Sequence, residues 1–251
     1  MDESCWAARV TVVMPTYNEA ANLRRMAEAV LGLPLDGLHL KIVDDSSPDG
    51  TGRIADELAQ KYNADGPYRM SVLHRTGKDG LGRAYTAGMT AALEEGAQYV
   101  VQMDADGSHP VEAVPRMLEE AVRSGAGLVV GSRYVQGGSL DEQWGMHRVL
   151  LSRFANTYAR AVLGTRIKDI TAGFNLWTAA TLRDVNLPTL DSAGYSFQVE
   201  LKYKAVRAGH SAVEIPIRFE ERTEGVSKMT LRTQLESAVV PIRLRLRNRR
   251  R

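Results

Sequence analysis

Hydrophobic residues follow two alternating patterns along the first two thirds of the chain. Short runs rich in β-branched residues, such as RVTVVMP near the start, predict buried strands, and the stretches after them carry apolar residues at helical spacing. A predicted strand is followed by a predicted helix five times before residue 165. Further on, the pattern predicts short strands at 173–177 and 211–219, with a helix between them. This order indicates an α/β fold in which helices flank a mainly parallel central sheet.

The ends of the predicted strands are candidate ligand sites, because the carboxyl ends of parallel strands meet at one edge of a sheet. The first strand ends in MPTYNEA, in which Asn18 is a candidate cap for the next helix. The second ends in VDDSSPDGT, where Asp44 or Asp45 can accept hydrogen bonds from a ribose or a base. A calcium loop explains this stretch less well, because its twelfth position holds Asp56 and a strand precedes it.

A glycine-rich stretch, GKDGLGRAYTAG, follows the third predicted strand. Gly80 and Gly82 match two positions of the dinucleotide-binding fingerprint, but Tyr85 occupies the place of its third glycine. An oxidoreductase with that fingerprint is therefore not supported. The two glycines are expected to form a tight loop instead.

Two acids, Asp104 and Asp106, follow the apolar run YVVQM. In an extended chain such residues share a face and lie about 6.5 to 7 Å apart, which allows both to reach one Mg²⁺ or Mn²⁺ ion. Capping of a helix that starts near Pro110 is the alternative, and it explains Asp106 but not Asp104. A glycosidase acid pair also fits the spacing. The two acids of such a pair need different environments, however, and two acids on one strand share the same environment.

Composition narrows the class of protein. The 251 residues are 44% hydrophobic, enough for one large domain, or for a domain with a tail. The single cysteine, Cys5, excludes an intramolecular disulfide and suits a reducing compartment. A net charge of +2 does not suggest a nucleic-acid partner. No secretory signal and no apolar run long enough to span a membrane is evident, so we expect a soluble or peripheral protein.

The C-terminal segment is amphipathic and ends in a basic cluster. Six arginines fall within the last eleven residues, after apolar residues at near-helical spacing. This segment is either a helix that lies in an anionic membrane surface or a packed helix with a basic end. We therefore predict a catalytic domain at 1–229 and an amphipathic, basic helix and tail at 230–251.

Several motifs together resemble those of one enzyme family. VVMPTYNEAANL, IVDDSSPDGT, GLGRAYTAG, MDADGSHP, VVGSRYVQGG, DITAGFNLW and FEERTEGVSK occur in the order found in GT-A family 2 glycosyltransferases, most closely the polyprenol (dolichyl) phosphate mannose synthases. The match covers roughly residues 10–230. The resemblance implies a GT-A fold and transfer of mannose from GDP-mannose to a polyprenyl monophosphate. It also implies inversion, a peripheral location on the cytoplasmic face of a membrane and, because the chain carries no span of its own, a separate membrane-anchoring protein.

The resemblance also implies roles for individual residues. Asp104 and Asp106 would form the metal motif for Mg²⁺ or Mn²⁺, and Ser108 stands where some relatives have glutamine as a third ligand. Arg133 and Arg148 would bind the acceptor phosphate. The sugar donor would be held by the first two strand ends and by a loop hinged at Gly225 that folds over its diphosphate, through Pro15, Tyr17, Glu19, Asp44, Asp45, Arg222 and Lys228.

The sequence contains no obvious general base. A phosphate acceptor explains this, since its second pKa of about 6 leaves it largely dianionic at pH 7. Two other interpretations stay open on these residues. One keeps the fold but uses UDP-glucose as the donor, and the other is a non-catalytic module that binds a nucleotide sugar.

Overall fold

The computed structural model describes residues 7–64, 66–192, 194, 196–221 and 231–248, without the side chains of 231–237 and 248. The predicted donor loop with Arg222, Gly225 and Lys228 lies outside the described residues, as do Cys5 and the arginines at 249–251.

A seven-stranded sheet forms the centre of the molecule, with the strand order β3-β2-β1-β4-β7-β5-β8. β7 runs antiparallel to both of its neighbours, and every other pair in this sheet is parallel. The predicted mainly parallel α/β sheet is therefore confirmed. The strands are β1 (Val10–Thr16), β2 (Leu38–Asp44), β3 (Met70–His74), β4 (Tyr99–Gln102), β5 (Leu128–Ser132), β7 (Asn175–Thr178) and β8 (Ala212–Pro216), with β6 (Ser139–Leu140) and β9 (Arg218–Phe219) paired separately.

Helices cover both faces of the sheet. α1, α2 and α4 pack on one face, and α3, α5, α6, α7 and α8 supply the apolar residues of the other. Alternation along β1 shows the two layers, because Val12 and Met14 enter the first core and Val13 enters the second. The helices are α1 (Ala20–Leu31), α2 (Thr51–Asn63), α3 (Leu81–Glu94), α4 (Val114–Ser124), α5 (Met146–Leu163), α6 (Ala179–Val185), α7 (Ser196–Arg207) and α8 (Leu231–Asn248).

Two local predictions need correction. Asn18 does not cap α1, because its φ is 59° and Glu19 occupies the N-cap position. Asparagine tolerates this left-handed conformation better than most residues do. β4 ends at Gln102, so Asp104 and Asp106 lie in the turn beyond the strand and not within it.

The two glycines of the fingerprint-like stretch have different roles. Gly80 has a φ of 95° and precedes α3, as a tight turn requires. Gly82 lies inside α3, where an added Cβ would come within 2.7 Å of the Ser192 carbonyl oxygen and 2.8 Å of Phe197 Cβ. The second glycine therefore allows α3 to approach the segment that leads into α7.

The C-terminal helix α8 packs on α5 and α7. Tyr158 on α5 donates a 2.7 Å hydrogen bond to the Ala238 carbonyl, and Leu244 is buried. Val239 and Ile242 are exposed. The packed-helix interpretation is thus correct for the described part of α8, and its exposed apolar residues leave the membrane-surface interpretation open. None of the described helices is both long and apolar enough to cross a bilayer.

Candidate active site

The carboxyl edge of the sheet brings together the predicted metal motif and a loop from the far end of the sequence. β1, β2 and β4 end at this edge, and β7 begins there because it runs in the opposite direction. A Cβ built on Gly173, just before β7, would lie 3.6 Å from Asp104 Oδ2. The reversed strand therefore delivers its preceding loop to the acids that follow β4.

Asp104 is held by two groups that sequence analysis did not identify. The buried Tyr85 hydroxyl donates a 2.6 Å hydrogen bond to Asp104 Oδ1. Burial and the neighbouring Asp104 charge raise the pKa of Tyr85 well above its ordinary value, so the phenol stays a neutral donor. The Asp104 backbone N–H donates to His109 Nδ1 at 3.1 Å. These two contacts position Asp104, and neither of them pairs its carboxylate with a cation.

Asp106 and Ser108 form a local turn. The Ser108 hydroxyl lies 2.6 Å from Asp106 Oδ1, and the Ser108 backbone N–H donates to the same oxygen at 3.1 Å. Both residues are buried. Ser108 therefore supports Asp106, and the assignment of its hydroxyl as a third metal ligand stays a prediction.

The acid pair fits a divalent ion that is only partly enclosed by protein. Among the residues that the structure describes, no group of three or more His, Cys, Asp or Glu side chains could hold a metal. Asp104 and Asp106 supply hard oxygen ligands, which Mg²⁺ and Mn²⁺ prefer. These ions commonly keep several waters and take further oxygens from substrate phosphates. The donor set therefore suits an ion that arrives with a diphosphate.

The loop after β2 is built around Asp44. Its Oδ1 accepts hydrogen bonds from Thr16 Oγ1 at 3.1 Å and from Ser47 Oγ at 2.6 Å, and its Oδ2 accepts from the Ser47 backbone N–H at 3.1 Å. The side chain is buried. Asp44 thus joins the ends of β1 and β2, and the assignment of Asp44 or Asp45 to the nucleotide stays a prediction.

Asp45 pairs with Arg75, whose Nη1 lies 2.5 Å from Asp45 Oδ1. Burial raises the pKa of Asp45, and the Arg75 guanidinium offsets part of that rise. Nearby, Lys78 Nζ lies 4.0 Å from the centre of the Tyr17 ring, a cation–π contact. Polar and aromatic groups therefore surround the mouth of the predicted nucleotide site.

The β2 loop also caps the helix that follows β1. The backbone N–H groups of Asn18, Glu19 and Ala20 donate to Ser47 Oγ, Thr51 Oγ1 and Asp49 Oδ2 at 3.1, 2.9 and 3.1 Å. These caps satisfy N–H groups at and before the start of α1, where a helix leaves such donors without internal partners. The end of β1, which contains Pro15, and the following residues Tyr17 and Glu19 are therefore tied to the β2 loop that carries Asp45.

Arg133 follows β5 and is held by Asp169, from the loop before β7. Arg133 Nε and Nη2 donate to Asp169 Oδ2 and Oδ1 at 2.8 and 2.7 Å, and Nη2 also donates to Thr171 Oγ1 at 3.0 Å. Burial disfavours the charged guanidinium, but Asp169 more than offsets this and raises the pKa of Arg133. Burial likewise opposes the charged Asp169, and Arg133 outweighs it and lowers the pKa of that carboxyl.

Lys202 on α7 lies behind this ion pair. Its Nζ donates to the carbonyls of Ile170 and Ala172 at 3.3 and 2.5 Å. Burial lowers the pKa of Lys202 to about 7, although Asp169 acts in the opposite direction. The loop between Asp169 and Gly173 is therefore anchored from inside the protein.

Arg148 lies at the start of α5 and is more accessible. Its Nη1 is 3.0 Å from each Glu221 carboxylate oxygen, and its guanidinium carbon lies 3.6 Å from the centre of the Trp144 ring. The side chain is 36% exposed, against 10% for Arg133. A ligand can therefore reach Arg148 more easily than Arg133.

Phe219 on β9 connects the two arginines with the acid pair. Its ring centre lies 5.6 Å from that of His109 and 5.7 Å from that of Trp144, and 5.4 Å from the Arg133 guanidinium carbon. His109 contacts the Asp104 backbone, and Trp144 stacks under Arg148. Ring contacts through Phe219 therefore link the predicted metal motif with the two predicted phosphate-binding arginines.

The sequence profile of the family described as Glycosyl transferase family 2 matches residues 11–184. The chain belongs to glycosyl transferase family 2. That range contains the loops after β1, β2 and β4, the two arginines and the loop before β7, whereas Lys202 and Phe219 lie beyond it. The predicted membership of this family is confirmed.

Two curated relatives of this family 2 chain cover most of its length. It is 48% identical over 222 residues to the polyprenol monophosphomannose synthase of Mycolicibacterium smegmatis, a match to 88% of this chain and 81% of that protein. It is 46% identical over 225 residues to the undecaprenyl-phosphate mannosyltransferase of Micrococcus luteus, a match to 88% of each.

A solved structure supports the fold. A mannosyltransferase from Pyrobaculum calidifontis, in complex with GDP-Man and Mn²⁺, matches 96% of this chain and 74% of its own, with a TM-score of 0.59 at 15% identity. At this identity the likeness concerns the fold alone. Together with the family match it confirms the predicted GT-A architecture.

Tyr85, His109, Asp169 and Lys202 belong to the site but were not predicted as site residues. Tyr85 attracted notice only as a mismatch to a glycine fingerprint, and Asp169 only as the first letter of DITAGFNLW. A search for polar residues before each strand, in addition to those after it, would have found Asp169. Nothing in the local pattern indicates that Tyr85 faces Asp104.

Proposed function

We propose that the protein transfers mannose from GDP-mannose to a polyprenyl monophosphate, with inversion at the sugar carbon. One observation supports the proposal: Phe219 contacts Arg133, and through His109 and Trp144 it is linked to Asp104 and Arg148, which suits transfer between two phosphate-bearing substrates. The two curated relatives named as mannosyl transferases to polyprenol and undecaprenyl phosphate support both the sugar and the acceptor class.

Asp104 and Asp106 are the residues that would hold Mg²⁺ or Mn²⁺ against the donor diphosphate. A bound divalent ion would neutralise charge that develops on the leaving nucleoside diphosphate. The hydrogen bond from Tyr85 orients Asp104 for this role while leaving its charge intact. The use of Mn²⁺ and GDP-Man by a structural neighbour is consistent with this assignment.

Arg148 and Arg133 act on the acceptor phosphate. Arg148 is half-exposed and can exchange its contact with Glu221 for the phosphate, to which a guanidinium donates two parallel hydrogen bonds. Arg133 contributes a fixed positive charge from its buried pair with Asp169. Together they offset the repulsion between two anionic substrates and align the attack.

No protein base is required for this chemistry. The acceptor phosphate is already largely dianionic at neutral pH, and one of its oxygens is the nucleophile. The protein therefore binds, orients and neutralises. The roles of Pro15, Tyr17, Glu19 and Asp45 at the nucleotide, and of Arg222 and Lys228 in a closing loop, are part of this proposal.

The direct test is transfer of radiolabelled sugar from GDP-mannose to a short polyprenyl phosphate in detergent, with UDP-glucose as a parallel donor. We expect lipid-linked mannose that disappears with EDTA and returns with added Mg²⁺ or Mn²⁺. A product from UDP-glucose alone would replace the donor assignment. No product from either donor, with nucleotide binding retained, would favour the non-catalytic module.

We further propose peripheral attachment to the cytoplasmic face of a membrane through the exposed side of α8, together with a separate membrane-anchoring protein. The exposed Val239 and Ile242 and the basic C-terminal end support it. Val239→Ser with Ile242→Ser should reduce flotation with anionic vesicles. Unchanged flotation would remove α8 as the attachment site.

A further inference from the structure

A second cluster of positive charge lies along α5, beside the site described above. It lines a cavity of about 340 Å³ between α5, the segment after β5 and the segment before β7. Its walls include Arg133, Arg153, Asn156, Thr157, Arg160 and Lys168. Arg148 and the acids after β4 are not among the lining residues. The cavity is therefore distinct from the place assigned to the acceptor phosphate and shares only Arg133 with it.

Three of the four cations that line this cavity are in no ion pair within the described residues. Four of its lining residues are cationic and none is acidic. Asp169 pairs with Arg133, but within the described residues no ion pair involves Arg153, Arg160 or Lys168. Cations that converge on one concave surface repel one another, so an anion bound there would stabilise them.

One donor in the cavity wall is buried without an acceptor. Arg160 Nε is inaccessible to water and has no hydrogen-bond partner in the described part of the chain. Buried N–H groups are almost always paired in native proteins, and a guanidinium offers its donors in a fork that matches phosphate oxygens. The unpaired Nε leaves the Arg160 guanidinium short of an acceptor among the described residues, which adds to the unbalanced positive charge around the cavity.

The surroundings indicate where such a ligand comes from. Leu150 and Phe154 on α5 are 58% and 68% exposed, and Phe154 directly follows Arg153 in the sequence. α5 packs against α8, whose Val239 and Ile242 are also exposed. An anionic phospholipid at a bilayer surface presents a phosphate next to apolar acyl chains. A cationic cavity next to exposed apolar side chains matches both parts of such a lipid.

We propose that this cavity binds a phosphate group that belongs to neither reaction substrate. The group can come from the headgroup of an anionic phospholipid or from a phosphate in solution, and the apolar residues on α5 favour the headgroup. The proposal uses no step of the proposed reaction, so its test does not depend on whether the proposed function is correct.

The test compares two charge-matched double variants. Arg153→Gln with Arg160→Gln removes two cavity cations, and Arg183→Gln with Arg207→Gln removes two exposed arginines from α6 and α7. Each is titrated by calorimetry with inorganic phosphate and with glycerol 3-phosphate, in an Arg148→Gln background that weakens the acceptor site. Each is also floated with phosphatidylcholine vesicles, with and without phosphatidylglycerol.

We expect the cavity variant to lose affinity by about tenfold or more while the control variant does not, as for loss of a charge-assisted hydrogen bond. A loss seen only with phosphatidylglycerol vesicles identifies a lipid headgroup. A loss seen with the soluble phosphates identifies a free phosphate group. Equal affinity of both variants, or no binding by the parent protein, overturns the proposal.

A second variant guards against misfolding. Arg153 and Lys168 are exposed, so Arg153→Gln with Lys168→Gln removes two cavity charges without changing a buried group. It should weaken binding in the same arm of the experiment and keep the parent thermal unfolding midpoint. Parent-like affinity of this second variant would likewise count against the cavity.

Discussion

Asp104 and Arg133 lie in the two halves of one site and are held in opposite ways. In the half formed by the ends of β1, β2 and β4, a neutral phenol, Tyr85, donates to the Asp104 carboxylate. In the half formed by β5 and α5, a full negative charge on Asp169 binds the Arg133 guanidinium in a two-point contact. The hydrogen bond from Tyr85 fixes the position of the Asp104 carboxylate and does not neutralise its charge. The ion pair with Asp169 keeps the buried Arg133 ionised but neutralises part of its positive charge.

This difference follows from the ligand proposed for each half of the site. A carboxylate that binds a divalent ion needs its full charge, so neutral hydrogen-bond donors are the suitable supports. An arginine buried beside phosphates would be costly to ionise without a carboxylate partner. Asp45 is an exception in the first half, because a cation, Arg75, pairs with its carboxylate.

The largest effect should come from neutralising the acids in the half of the site formed by the ends of β1, β2 and β4. We expect Asp104→Asn and Asp106→Asn each to lower kcat on the order of 10³-fold, as loss of several kcal/mol of transition-state stabilisation implies. Radiolabelled transfer at saturating Mn²⁺ measures this. Asp56→Asn, which changes an exposed acid paired with His74, is the control. Activity within a few-fold of the parent in either variant would end the metal assignment.

Breaking the buried ion pair should chiefly affect stability. Asp169→Asn leaves the Arg133 guanidinium buried with its charge uncompensated, and removal of one partner from such a pair typically costs about 3–5 kcal/mol. Urea unfolding followed by far-UV circular dichroism measures the change in the free energy of unfolding. A loss below about 1 kcal/mol, the range of exposed pairs, would show that the pair is open to water.

A smaller effect should follow from Tyr85→Phe, which keeps the buried ring and removes only the hydrogen bond to Asp104. Loss of such a support for a metal ligand typically weakens metal affinity about 10 to 100-fold. Mn²⁺ affinity, measured by electron paramagnetic resonance in the presence of GDP, tests this without depending on turnover. Unchanged affinity, with parent-like unfolding, would mean that Tyr85 serves the fold alone.

Counted per pH unit, the smallest effect is the change of stability with pH. The folded pKa of Lys202 is about 7 and its ordinary value is 10.5, so between these values the unfolded chain binds more protons. Stability from this group therefore rises with pH across that window, by up to about 1.4 kcal/mol per pH unit. Below pH 7 the lysine is charged in both states and contributes no slope.

Lys202→Met tests that assignment, because methionine fills similar space without a titratable group. We expect the difference in unfolding free energy between the parent and this variant to change from pH 7 to pH 9, measured by urea unfolding at intervals of one unit. A difference that stays constant across this range would show that Lys202 does not titrate there.

The sequence predicts the features of this molecule that are local or periodic. Strand and helix positions follow from apolar spacing, and the acids after β4 follow from the rule that strand ends carry ligands. The arginine after β5 is predicted only by the resemblance to the family motifs. The direction of β7 does not follow, because a strand of four residues, Asn175–Thr178, has the same pattern in either direction. The pairing of Tyr85 with Asp104, or of Asp169 with Arg133, is set by packing between elements. The spacing of residues along the sequence does not indicate such pairs.

The reversed strand β7 also governs the order in which the molecule can assemble. β3, β2, β1 and β4 form one set of neighbours and β5 and β8 form another, and within the sheet the two sets are joined only by β7. During synthesis, residues up to 132 emerge well before Asn175–Thr178, so the first four strands can pair while β5 is still separate from them. The complete sheet therefore depends on a late, long-range docking event, and a nascent chain that stops before β7 has Asp104 and Arg133 but lacks the strand that joins their two parts of the sheet.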